Sequence, residues 1–174
     1  MKSNLWAKTI LSVYRYLERI SGAIDKMVER QALNSYYYFS GSSIDNGVLS
    51  VSKRIIELSE RKVRLINLKV LTEKALKGCD KILGQILIEK YIEGESSDNI
   101  AESLSLSPRT YFRRLTQAEE QFLNNLTLQG FNSKKLNSYL AEEKWILDVY
   151  KNFSRNNVEN FEDIEQIMQI WFYF

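Results

Sequence analysis

Proline occurs once in this 174-residue chain, at position 108, and glycine only seven times. So few breakers leave long stretches free to be helical, because proline removes a backbone donor and glycine raises the entropic cost of ordering the chain. Apolar residues recur at spacings of three to five along most of the sequence, and no segment alternates apolar and polar residues over a convincing length. That period gathers apolar side chains on one face of a helix. The expected fold class is all-α: a long N-terminal helical hairpin or coiled-coil arm, a helix-turn-helix domain, and C-terminal helices.

Leu5, Ile10, Tyr14, Leu17, Ile20 (or Ser21), Ile24 and Val28 predict a first helix ending near Leu33. Residues 35–47 read as a loop, since Gly, Ser and Asn46-Gly47 break the period. The aromatic run Tyr36 to Phe39 is expected to pack this loop onto the helices, with base stacking as the alternative. Val48 to Leu76 resumes helix, with Val51, Ile55, Leu58, Val63 (or Leu65), Ile66, Val70 and Leu71 as its apolar side, too irregular for a strict heptad. The region carries Lys53, Arg54, Arg61, Lys62, Arg64, Lys69, Lys74 and Lys77 against Glu57, Glu60 and Glu73, a net +5. Such a face either tracks a phosphate backbone or is simply solvated. Self-association through this arm predicts a homodimer.

Further helices are expected at Ile82 to Ile92, stopped at Gly94, at Asp98 to Ser103, and at Pro108 to about Leu128, before Gly130. Another runs from Ser133 to about Phe153, with Leu136, Leu140, Trp145 (or Lys144), Leu147 and Tyr150 (or Lys151) as apolar candidates. A last, acidic helix follows, with Phe161, Ile164, Ile167 (or Met168) and Trp171 sharing a face; its aromatic end is expected to dock on the core. The domains are then 1–77, a helical arm; 78–130, a helix-turn-helix; and 131–174, a C-terminal helical extension.

Composition narrows the chemistry. Apolar residues make up 44% of the chain, enough for a real core, and net charge is only +2. With no histidine there is no His-based acid–base work and no His metal site. Cys79 stands alone, so it forms no internal disulfide or zinc cluster and reads as a buried structural thiol suited to a reducing cytoplasm. The sequence carries no Gly-rich phosphate loop, metal-ligand spacing or nucleophile–base pair. The Glu119–Glu120 and Glu142–Glu143 pairs read as ordinary helix-surface residues. No apolar run approaches the ~18 residues of a membrane span, and no signal peptide is visible. The expectation is a cytoplasmic protein with no catalytic residues, no cofactor, no metal and no membrane partner.

The functional signal lies in Ile100 to Leu115. Ile100, Ala101 and Leu104 supply bulky and small residues for a first helix crossing a second closely. Ser105-Leu106 form the turn, Ser107 caps the second helix, and Pro108 suits the first helical position. Tyr111, Leu115, Ala118 and Phe122 then face inward, while Arg109 and Arg113 project oppositely, flanked by Phe112 and Thr116. Arg114 sits at the boundary, placed for a phosphate. Between Ser107 and Ala118 there are three positive charges and no negative one. This is the layout that sets one helix into the DNA major groove, where arginine can hold guanine bidentately.

At these residues the chain resembles region 4 of sigma-70-like factors, especially the extracytoplasmic-function type, and the phage and bacterial late-gene activators sharing that domain. Tyr91-Ile-Glu-Gly94 looks like the family's first-helix ending and Ile100-Ala101-x-x-Leu104 like its support helix. Ser107, Thr110, Arg114, Leu115 and Ala118 fall where the family shows the same residue types. The resemblance runs from Ile82 to about Leu126. It implies a sequence-specific DNA-binding transcriptional regulator, bacterial or phage. Ser107, Arg109, Thr110, Phe112, Arg113 and Arg114 would lie on double-stranded DNA, with Arg109 and Arg113 reading bases. RNA polymerase would be a further partner. Ser105 stands where the family usually has glycine, and the basic arm does not look like the sigma domain that melts DNA, so a stand-alone regulator fits better than a complete sigma factor. The alternative is a polymerase- or sigma-binding adaptor that uses its helical surfaces for protein contacts.

Overall fold

The computed structural model describes residues 4–38, 44–155 and 161–172. Among these the protein is all-α, in eight helices: α1 (Leu5–Tyr38), α2 (Ile44–Lys77), α3 (Lys81–Leu87), α4 (Ser97–Ser103), α5 (Pro108–Leu128), α6 (Ser133–Tyr139), α7 (Lys144–Ser154) and α8 (Phe161–Phe172). A π-helical stretch, Ile88–Glu93, continues α3. No helix among the described residues is long and apolar enough to cross a membrane.

Two boundaries differ from the expectation. The predicted loop at 35–47 is largely helix, since α1 continues to Tyr38 and α2 already starts at Ile44. Ser, Asn and a single Gly each cost at most ~1 kcal/mol in a helix interior, which a long helix can run through. The packing expected of Tyr36 to Phe39 lies outside the described side chains. The helix expected from Ser133 to about Phe153 is instead two. Leu140 closes α6, and Glu143 precedes α7 with a non-helical ψ of 70°. No Gly or Pro announces that break. Glu143 is buried there and accepts the Trp145 indole N–H at 2.9 Å, correcting its assignment to the helix surface.

The chain falls into two compact units, Met1–Arg15 with Leu71–Phe174, and Tyr16–Val70. In the second, Lys69 bonds Glu18 at 2.8 Å and Lys62 bonds Asp25 at 2.6 Å. Each partner advances seven residues along α1 as the other retreats seven along α2. The two helices therefore run antiparallel with a heptad register. The lysine hydrogen bond and charge lower the Glu18 carboxyl below its ordinary value.

In this unit α1 buries Leu17, Ile20, Ser21 and Ile24, while α2 buries Leu58, Leu65 and Leu68. Leu58, and Leu65 as the alternative to Val63, lie on the apolar side as expected, and the rest of that side is corrected. Val63, Ile66 and Val70 are exposed, and the buried seam is as regular as a heptad requires. Lys62 and Lys69 are paired across the hairpin, and Arg54 pairs with Glu57 on its own helix.

The other unit holds the remaining core. Trp6, Ala7, Ile10, Leu11 and Val13 of α1 are buried, and Trp6 packs its ring 4.5 Å from that of Tyr150. Helix α7 buries Trp145, as expected, with Ile146 and Val149 in place of Leu147 and Tyr150. Against α7 sits α8, through Ile164, Ile167 and Met168. The Phe172 ring meets Trp145 edge-on at 5.5 Å, and the Trp171 indole donates to Asp148 at 3.3 Å, leaving the Trp171 side chain partly exposed. At the end of α2, Asn125 donates to the Ala75 carbonyl at 3.0 Å and satisfies one of the terminal acceptors. A Cβ at Gly78 would stand 2.9 Å from the same amide nitrogen, so a side chain there would force Asn125 to shift. Cys79 is half-buried rather than fully buried; burial raises its thiol pKa, and the thiol donates to the Ala75 carbonyl.

Candidate nucleic-acid interface

Helices α3, α4 and α5 form a small three-helix cluster. Ile86, Ile100, Ala101 and Tyr111 are buried together, with Leu104, Leu106 and Leu115 packed around them. The turn between α4 and α5 is a Schellman motif. Leu106 N–H bonds the Ala101 carbonyl at 2.8 Å, and Ser105 N–H bonds that of Glu102 at 3.0 Å. The motif needs a left-handed residue between them, and Ser105 takes it, at φ 51°, alone among the described non-glycine residues. A side chain in that region is strained by ~1–2 kcal/mol relative to the right-handed basin.

Ser96 caps α4 by accepting from Asn99 N–H at 3.1 Å. Ser107 caps α5 in the same way, accepting from Thr110 N–H at 3.3 Å, and its Oγ also lies 2.9 Å from Thr110 Oγ1. Pro108 then occupies the first turn, where its missing N–H leaves nothing unsatisfied. The helix buries Tyr111, Ala118, Phe122 and Leu126. At 100° per residue Arg109 and Arg113 lie opposite that face.

Both arginines are exposed, as are Ser107 and Phe112, while Thr110 and Arg114 are half-buried. Arg109 and Arg113 are separated by about 6 Å along the helix axis, close to two base-pair steps. Phe112 presents its ring beside them, the kind of apolar surface that suits a thymine methyl. Arg114 and Lys81 line a shallow groove with Asp80, Ile82, Leu83 and Gln117 at the start of α3.

Glu119 was expected on the surface and is not there. It is buried, accepting from the Tyr91 hydroxyl at 2.5 Å and from the Asn4 amide at 3.3 Å. Burial raises its carboxyl above the ordinary 4.5, against the opposing pull of the Tyr91 hydrogen bond. The Tyr91 phenol is likewise pushed well up, by burial first and then by Glu119. No group of three or more side chains placed to hold a metal occurs among the described residues.

No family model matches the chain, and no solved structure matches it. A curated protein that it resembles in sequence is the carbamoyl phosphate synthase large chain of Clostridium botulinum (strain Loch Maree / Type A3). The two are 26% identical over 148 residues, covering 80% of this chain. The chain spans 13% of that protein's length, and a likeness at this level assigns no family.

Proposed function

We propose that the protein is a sequence-specific DNA-binding regulator of transcription, with α5 as its recognition helix. The supporting observation is the exposed row of Arg109, Phe112 and Arg113 on a helix whose opposite side is fixed by Tyr111, Ala118 and Phe122. A helix so held has little freedom to reorient, and its arginines are pre-placed for bidentate contact with guanine. Ser107, Thr110 and Arg114 would orient it on phosphates, and the arm would bring two copies together. Contact with RNA polymerase, as in sigma-like activators, belongs to the same reading.

The test is selection of bound duplexes from a random pool, followed by titration of the enriched site over a range of salt. Arg113→Ala is expected to cost about 1–3 kcal/mol on that site and to relax preference at one position. Arg114→Ala should weaken all duplexes alike and reduce the salt slope by about one. If no sequence is enriched and affinity stays at the non-specific level of ~10⁻⁴–10⁻⁶ M, the DNA reading falls. The surfaces would then be assigned to contacts with a polymerase or sigma partner.

A further inference from the structure

Helix α2 carries a second apolar seam, on the side away from α1. Leu49, Ile56, Val63 and Val70 follow one another at steps of seven and are 69%, 58%, 57% and 41% exposed; Ile66, three residues past Val63, is 41% exposed. Ser52 and Ser59, also exposed, hold the matching positions three past Leu49 and Ile56. Scattered exposed apolar residues need no explanation, but a row in strict heptad register some 32 Å long is the pattern of a helix facing another helix. At 100° per residue this row lies opposite the seam of Leu58, Leu65 and Leu68, so no rotation of α2 could bury both against α1.

We infer that this seam binds the same seam of a second copy of the chain, antiparallel, with the two-fold axis passing between Glu57 and Leu58. The inference deepens the dimeric part of the function proposed above and rests on it. The argument is self-complementarity. About that axis Leu49 of one copy meets Ile66 of the other, Ser52 meets Val63, and Ile56 meets Ser59, each contact occurring twice. Ser52 and Ser59 are then the small residues that let the bulky ones interdigitate.

Charge favours the same register. Lys53 and Glu60 both flank the seam on one side, are both exposed, and come opposite one another across the axis, again twice. On the other flank Ile55 faces Lys62, whose charge Asp25 neutralises within its own copy. A parallel in-register pair would instead set Ile55 against Glu60 and Lys62 against Asn67, with no opposite charges matched. An isologous two-fold contact is what a self-complementary stripe makes.

The experiment is sedimentation of the full chain in the micromolar range, with circular dichroism to verify helix content. The wild type is expected to be a dimer, and Val63→Lys a folded monomer, since Val63 is 57% exposed within its own copy. Lys53→Glu should raise the dimer dissociation constant roughly tenfold, as should Glu60→Lys, by setting like charges opposite each other twice. Combining Lys53→Glu with Glu60→Lys should restore it to within about threefold, because each copy again meets opposite charge. A monomeric wild type, or a double variant no tighter than the single ones, overturns the inference. Titrating the same samples with the selected duplex separates the two proposals. A monomer that keeps its sequence preference overturns only the dimer, whereas a dimer without any preference overturns only the DNA reading.

Discussion

Helices α5 and α2 are both long, amphipathic and basic, yet they differ in how many sides they commit. Helix α5 has one apolar side, which is buried, and Phe112 and Leu128 are the large apolar residues it leaves exposed. Helix α2 has two, and only one is covered. A helix with a single stripe declares its inward face by period alone. One with two stripes leaves that choice to its partner, here through Asp25–Lys62 and Glu18–Lys69. The two proposals follow the same division: the spare face on α5 is charged, whereas the spare face on α2 is apolar.

The sharpest way to break this comparison is truncation on each side. Phe122→Ala in α5 and Leu65→Ala in α2 are expected to cost about 3–5 and 2–5 kcal/mol, because both side chains are fully buried. At protein concentrations where the chain is monomeric, Val63→Ala should change stability by no more than about 0.5 kcal/mol. Denaturant melts decide. Equal losses at Leu65 and Val63 would mean that α2 has no distinct inward face.

A smaller effect is expected from the polar residue on the inner side of α5. The folded state raises the Glu119 carboxyl above 4.5, chiefly through burial, so the fold binds this proton more tightly than the unfolded chain does. The stability linked to it is complete below 4.5 and declines as pH rises through the folded value. Wild type should therefore lose stability relative to Glu119→Gln on going from acid to neutral pH. Melts of the two proteins at a series of pH values test this, and parallel curves would remove Glu119 as the source.

The smallest change compares two turns within one unit. After α5, Gly130 at φ 86° and Phe131 close a Schellman motif, with bonds to Thr127 and Leu126 of 2.9 Å each. Ser105 does the same work after α4 with a side chain that resists the conformation. Ser105→Gly should stabilise the protein by up to about 1 kcal/mol, the relief of left-handed strain less the entropy glycine adds to the unfolded chain. A loss of stability would indicate that the serine makes a compensating contact.

Much of the helix-turn-helix was legible beforehand, because its determinants are local. Ser107-Pro108 marks the start of α5 within the sequence itself, and Tyr111, Ala118 and Phe122 repeat at the helical period with no competing stripe. The π-helical turn at Ile88–Glu93 carries no comparable mark. The buried acids were illegible for a related reason. Glu119 is satisfied by Tyr91, 28 residues away, and a Glu-Glu pair on a helix looks solvated until that partner is known. On α2 the period was visible but doubled, and the pairing that selects the seam lies across 37 and 51 residues of chain.

The ladder of Glu18–Lys69 and Asp25–Lys62 also constrains which changes of length the arm can accept. Deleting one residue inside either helix would swing every side chain beyond it by about 100° and turn one lysine away from its carboxylate. Removing seven from each helix would leave the surviving pairs and the seam in place and shorten the hairpin by about 10 Å. The arm therefore behaves as a ruler graduated in heptads, able to vary in length only by whole, matched steps.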